Sequence, residues 1–276
     1  MGERNTERRS GAIAWLVQHL SIAWQFARIG LIRKSQFRFE FANQVVMDCV
    51  FYLTHILLFE FLFQHTQLIA GWSLSEVRVY LGFIFVSDAF SMVWLGQSWH
   101  FGEDLKKGNL DPVRARPASP IVLYFYQRFS PEGLMNMAIA LGYFVYGVHA
   151  SGVAIDVRLV SMSVWAMALS FWGRAVLAVL LSIAELYLVN SDVSRFAHFF
   201  FSELNDRPLD VFHRRVKQFL VYLMPVGAMS YLPACMVLGR MTVVEAVGHT
   251  TWVVLLGLVV HRAWRASFRR YESAMS

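Results

Sequence analysis

Six ionisable side chains interrupt long apolar runs of this chain. Asp48 and Glu60 lie in NQVVMDCVFYLTHILLFEFLFQ (43–64), Asp88 in 77–99, Glu132 in 119–148, and Arg174 and Glu185 in 159–189. Glu245 stands just before a further apolar run, 247–266. Charges at such places are costly, so they either form a proton or ion path or clamp helices together. Asp48 and Glu60, a little over three turns apart, lie within about 120° of each other around the helix. Arg174 needs an anion, and Glu185, about 16 Å further along the same helix, is too far away. Asp88 or Glu132 is the expected partner. No pair of broken helices marks an alternating-access carrier, which favours the clamp.

Other chemistry is missing from the sequence. It has no P-loop, GxGxxG, HExxH, CxxC or GxSxG pattern. The histidines do not fall at metal-ligand spacing with carboxylates, and no metal site is expected. Cys49 and Cys235 lie far apart in apolar runs and suggest no disulfide framework.

The elements carrying these charges follow from composition. Of 276 residues, 57% are hydrophobic and 16% charged, against about 25% charged in soluble domains; mean hydropathy is +0.45. A spanning helix needs about 20 mostly apolar residues. Six stretches qualify: 43–64, 77–99, 119–148, 159–189, 216–238 and 247–266. The expected fold is an all-α, six-span membrane protein forming one transmembrane domain over 1–276. Before the first span, Ile13, Leu16, Val17, Leu20, Trp24, Ala27 and Leu31 form an apolar stripe opposite Gln18, His19, Gln25, Arg28, Arg33 and Lys34. That pattern predicts an amphipathic helix over 12–38 lying in the membrane interface.

Cations set the orientation. With these spans, twenty Lys and Arg fall before the first span, in 99–118, in 190–216 with Lys217, and in the tail. Only Arg78, Arg158 and Arg240 fall on the opposite side. Both termini are therefore expected in the cytoplasm, in a plasma (inner) membrane. The stretch GEDLKKGNLDPVRARPASP (102–120) is then cytoplasmic. It opens as an amphipathic helix, breaks at Gly108, and is stopped by Pro112 and Pro117. A rigid, mixed-charge element protruding from a bundle reads as a docking surface. The run FLVYLMPVGAMSYLPACMVLGRM is different again. Pro225, Gly227, Pro233 and Gly239 crowd it, which predicts a kinked or re-entrant segment near the outer face before the last helix.

Three stretches then carry a resemblance: GNLDPVRARPASP (108–120), RPLDVFHRRVKQFLVYLMPVGAMSYLPACMVLG (207–239) and FRRYESAMS (268–276). Together with the order of elements they resemble the permease subunit of type-2 ATP-binding-cassette transporters, in the subfamily once classed as a domain of unknown function. The likeness covers essentially the whole chain. It departs from the family pattern at Arg114, where Leu is usual, and at Phe212 and His213, where Tyr is usual. The resemblance implies a permease, mostly of exporters, working as a dimer with a second copy or a homologous permease. It implies a separate cytoplasmic ATPase dimer holding ATP and Mg²⁺, with no cofactor bound directly here and no nucleic-acid partner. It also implies a coupling element at 99–118, with Glu103, Asp104, Lys106, Lys107, Asp111, Arg114 and Arg116 facing the ATPase. Such a chain is not an enzyme by itself. Two other classes compete: an ion-coupled carrier using Asp48, Glu60, Asp88 and Arg174, and an intramembrane lipid-modifying enzyme, which would need a His/Asp cluster at one membrane face.

Overall fold

The computed structural model describes residues 21, 24–25, 28–32, 38–114, 120–126, 129–188 and 191–270. Among them regular structure is helical, apart from one isolated bridge between Ile69 and Trp72. In chain order the α-helices are α1 (Arg38–His65), α2 (Leu74–Trp94), α3 (Phe101–Lys106), α4 (Asp111–Arg114), α5 (Pro120–Tyr126), α6 (Glu132–Ala150), α7 (Val157–Leu188), α8 (Ser191–Asn205), α9 (Arg214–Gln218), α10 (Tyr231–Val237) and α11 (Val243–Arg270). Five of them, α1, α2, α6, α7 and α11, are long and apolar enough to cross a membrane. The protein is a multi-pass, all-helical membrane protein.

Local chemistry sets the helix starts. Ser73 and Glu76 form a capping box at α2: the Ser73 hydroxyl accepts from the Glu76 amide, and the Glu76 carboxylate accepts from the Ser73 amide at 2.8 Å. Thr242 and Glu245 do the same for α11, so Glu245 is a cap and not a charge inside a span.

α2 is the central helix, with Val77, Tyr80, Phe83, Ile84 and Val86 fully enclosed. It packs on α6 through contacts that only glycine permits: a Cβ on Gly147 would stand 2.9 Å from the Arg78 carbonyl. Small residues at such crossings let backbones approach in a medium where apolar surface alone does not drive association. A second apolar core lies at the other end, where Phe101, Leu105, Leu110, Val113 and Tyr124 meet Val176 on α7 and Trp264 on α11. Outward faces are apolar, as in Leu53, Leu57 and Phe61 of α1 and Val244, Leu255 and Val259 of α11. A water-soluble bundle would have the inverse pattern.

The helices depart from the sequence expectation in three places. The stretch 119–148 is not one span: α5 ends at Tyr126, and α6 starts only after Pro131. The stretch 216–238 is not a continuous helix either. α9 passes into a π-helical turn, Phe219–Leu223, the chain from 224 to 230 is non-helical, and α10 follows. Met224 is extended (ψ 128°), as a residue before proline prefers, and this ends the turn ahead of Pro225. Pro233 sits in the first turn of α10, where its missing N–H costs nothing. The third departure is α8, which lies in a stretch expected to be a polar connector. Of the expected interfacial helix 12–38, most lies outside the described residues; 28–32 are helical, with Gly30 against the Phe129 carbonyl.

Candidate functional site

The segment 96–126 is a folded shelf at one end of the bundle. A 3₁₀ turn (Gly96–His100) leads into α3, which ends in a Schellman turn. The Asn109 amide donates to the Asp104 carbonyl at 2.9 Å and the Gly108 amide to that of Leu105, with Gly108 at φ +70°. Phe101, Leu105, Leu110 and Val113 point into the core against α7 and α11. Lys106, Lys107, Asn109 and Pro112 point to solvent. Glu103 is half-buried and accepts from Lys107 Nζ at 2.5 Å.

Asp104 corrects the sequence expectation of a solvent-facing docking charge. It is buried. Its carboxylate accepts from the Tyr124 hydroxyl (2.8 Å), from Asn109 Nδ2 (2.9 Å) and from Gln97 Nε2. It therefore ties the 3₁₀ turn, α3 and α5 into one body. Asp111 is half-buried. Arg116 and the side chain of Arg114 lie outside the described residues.

The opposite end carries a second polar cluster, built from the α1–α2 connector and the segment 205–242. Asp210 accepts from Trp72 Nε1 at 2.8 Å and from Lys217 Nζ at 2.5 Å. Lys217 also donates to the Tyr231 hydroxyl at 2.7 Å. Arg240 donates to Glu76 at 2.8 Å and to the Gly71 carbonyl, and its guanidinium covers the Trp72 ring at 4.2 Å. Gly239, at φ +67°, closes α10 with the Arg240 amide bonded to the Cys235 carbonyl, which turns Arg240 back toward α2. Burial disfavours a charged Asp210, yet the bonds from Lys217 and Trp72 outweigh it and hold its carboxyl below the usual range. The Glu76 hydrogen bond raises Arg240 despite partial burial. Sequence reasoning singled out none of Trp72, Glu76, Asp210, Lys217 and Tyr231 as site residues. The signals present were the S-x-x-E pattern at 73–76 and the stretch 207–239 of the family resemblance, which holds Asp210, Lys217 and Tyr231.

This cluster also corrects the cation count. Lys217 is bonded to residues that contact the α1–α2 connector, and Arg214 lines one cavity with Lys217 and Arg240. Arg207, Arg214, Arg215 and Lys217 thus lie at the α1–α2 connector end, opposite the 96–126 shelf. The chain between them is α8. His198 of α8 stacks on Trp99 at the shelf (4.9 Å). At the helix's far end the Asn205 carbonyl accepts from the Tyr80 hydroxyl at 2.7 Å, and Asp206 meets His55 Nε2 at 3.2 Å. The hairpin 214–238 dips inward from the connector end until Gly173, midway along α7, touches Ala228.

Four of the six helix charges, Arg174, Asp88, Asp48 and Glu60, meet partners on neighbouring helices. Arg174 pairs with Asp88, one of the two partners expected for it. Asp48 accepts from Asn136 on α6 (2.5 Å) and from Gln44. Glu60 accepts from Arg78 at 2.6 Å. Glu132 and Glu185 are buried at the start of α6 and on the shelf half of α7. Among the described residues no group of His, Cys, Asp and Glu could hold a metal.

The profile of the ABC-2 family transporter proteins matches residues 49–275. The chain belongs to the ABC-2 transporter family. That assignment covers the whole of α2, α6, α7 and α11, the later part of α1 and both polar ends. Comparison with curated proteins and with solved structures gives no match.

Proposed function

We propose that the chain is the permease subunit of an ATP-driven exporter, with both termini in the cytoplasm of an inner-membrane-bounded cell. It works as a dimer with a second copy or a homologous permease, and ATP and Mg²⁺ are bound by separate ATPase subunits. Six crossings serve this reading, but the fifth is α8 and not 216–238. Exposed Phe196, Phe199 and Phe200 on α8 suit a helix facing lipid or a second permease. The 214–238 segment is then re-entrant and forms the outer seal, with Pro225 and Gly227 at its inner tip.

The observation that carries the reading is the two-faced shelf. Lys106, Lys107, Asn109 and Pro112 face the cytoplasm, while Leu105, Leu110 and Val113 are wedged against α7 and α11. A push on the exposed face is passed to helix ends without first deforming a loop. Arg174 with Asp88, Asp48 with Asn136 and Glu60 with Arg78 serve as clamps between helices.

The test is charge reversal of Lys106 and Lys107 to Glu together. Like-charge contact across an interface costs up to several kcal/mol, whereas an exposed pair with a partner is worth only about 0–1 kcal/mol. The expected result is loss of ATPase co-purification or of substrate-stimulated turnover, in a protein that still inserts and elutes as a single species. Wild-type values for both would remove the coupling role.

A further inference from the structure

A cavity of about 290 Å³ opens between α2, α5, α7 and α11 in the shelf half of the bundle. Phe90, Trp94, Phe125, Trp172 and Val179 supply apolar walls, and His261 is the single titratable group on its lining. Its size is close to the lower bound, about 300 Å³, of ordinary ligand pockets. Its lining offers too few polar partners to hold water. An empty void of this size at membrane depth would forfeit the dispersion contacts of all these rings.

Its position says what fills it. His261 lies about 27 Å along α11 from Val243 at 1.5 Å per residue, near the far boundary of a hydrocarbon layer about 30 Å thick. Arg265, one turn beyond and exposed, projects on the same side of α11 and is close enough to act on His261. Exposed Arg262 and Arg269 continue the cationic rim into the headgroup zone. An apolar slot ending under arginines at the headgroup level matches an acyl chain with an anionic head. We propose that this cavity holds one acyl chain of an anionic glycerophospholipid from the shelf-side leaflet, with its phosphate against Arg265. The bound lipid fills the space between α7 and α11, the two helices that the shelf presses on, and so keeps that contact stiff.

The leaflet is cytoplasmic if the orientation proposed above holds; the binding itself needs neither that orientation nor an ATPase. The test is native mass spectrometry of the purified full-length protein from mixed phosphatidylglycerol and phosphatidylcholine. Wild type should keep one phosphatidylglycerol per chain. Ala175→Phe and Val179→Phe, which fill the slot, should lose it while eluting as wild type does. Should these variants misfold, Arg265→Glu leaves the slot open and should lower retention of phosphatidylglycerol relative to phosphatidylcholine by about tenfold, as reversal of one interfacial charge implies. Unchanged retention in the slot-filling variants, or an unchanged lipid ratio in Arg265→Glu, overturns the proposal. So does a retained amphiphile that is not a phospholipid and leaves on ATP turnover, which would make the slot a transport site. A topology reporter at the termini tests the orientation separately.

Discussion

The two ends of this bundle carry similar numbers of charges and use them in opposite ways. At the shelf, the anchoring is apolar: Phe101, Leu105, Leu110 and Val113 sit in a core, and Lys106 and Lys107, the latter paired with Glu103, lie exposed at the surface. At the other end, Asp210, Lys217, Glu76 and Arg240 are turned onto one another and onto Trp72. In the proposed reading the first pattern offers its charges to a partner; the second latches a hairpin to the α1–α2 connector. Charge content therefore does not tell a docking face from a latch. What tells them apart is whether apolar side chains alongside have already fixed the backbone.

Asp104 is the exception at the shelf, and breaking it should have the largest effect. Asp104→Ala takes the carboxylate acceptor from the buried Tyr124 hydroxyl and Gln97 amide, at a cost of about 3 kcal/mol. The melting temperature in detergent should fall by several degrees, while Lys106→Ala with Lys107→Ala should leave it unchanged. Equal melting temperatures for the two variants would erase the contrast drawn within the shelf.

A middle-sized effect is expected from backbone strain at the latch. Gly239→Val places a β-branched residue at φ +67°, which costs about 1–3 kcal/mol, and it should swing Arg240 away from Glu76. In a Cys49→Ser background, Cys235, buried on α10, should then react faster with a membrane-impermeant maleimide. Gly108→Val, equally strained, should lower stability without changing that labelling.

The smallest effect concerns pH. Asp210 is held below its ordinary value, so its share of the latch is fully present above about pH 4, the usual carboxylate range, and is lost only as pH falls through the lowered value. Labelling of Cys235 by an aromatic pyridyl disulfide, which unlike a maleimide still reacts with thiols in acid, should stay slow from neutral pH down to about pH 4 and rise below it. Asp210→Asn should label faster at neutral pH and lose the acid response. An increase in wild-type labelling already near neutral pH would show that another group governs the latch.

The long helices were legible because each buries its own backbone polarity and repeats apolar residues for twenty positions or more. The expected break around Pro225 and Gly227 coincides with the non-helical 224–230. The stretches 190–216 and 216–238 were misread for a physical reason. α8 is amphipathic and carries Asp192, Arg195, His198 and Glu203, so its composition reads as a connector; His198 and the chain at Asn205 and Asp206 are paid for by neighbours such as Trp99, Tyr80 and His55. The stretch 216–238 is apolar enough for a span, yet its prolines and glycines fold it into a hairpin. Asp104 was misread because helical spacing places it beside Glu103 without saying that Tyr124 waits above it.

The sequence alone determined the membrane class, the five long helices and the break around Pro225 and Gly227. These follow from hydropathy and backbone chemistry, which are local. Tertiary structure decided which charges were consumed. It paired Arg174 with Asp88, turned Asp104 inward and carried Lys217 to the Trp72 end, because an ion pair or hydrogen bond depends on groups brought within about 3 Å, and residues as far apart as Trp72 and Asp210 meet only when the helices between them have packed.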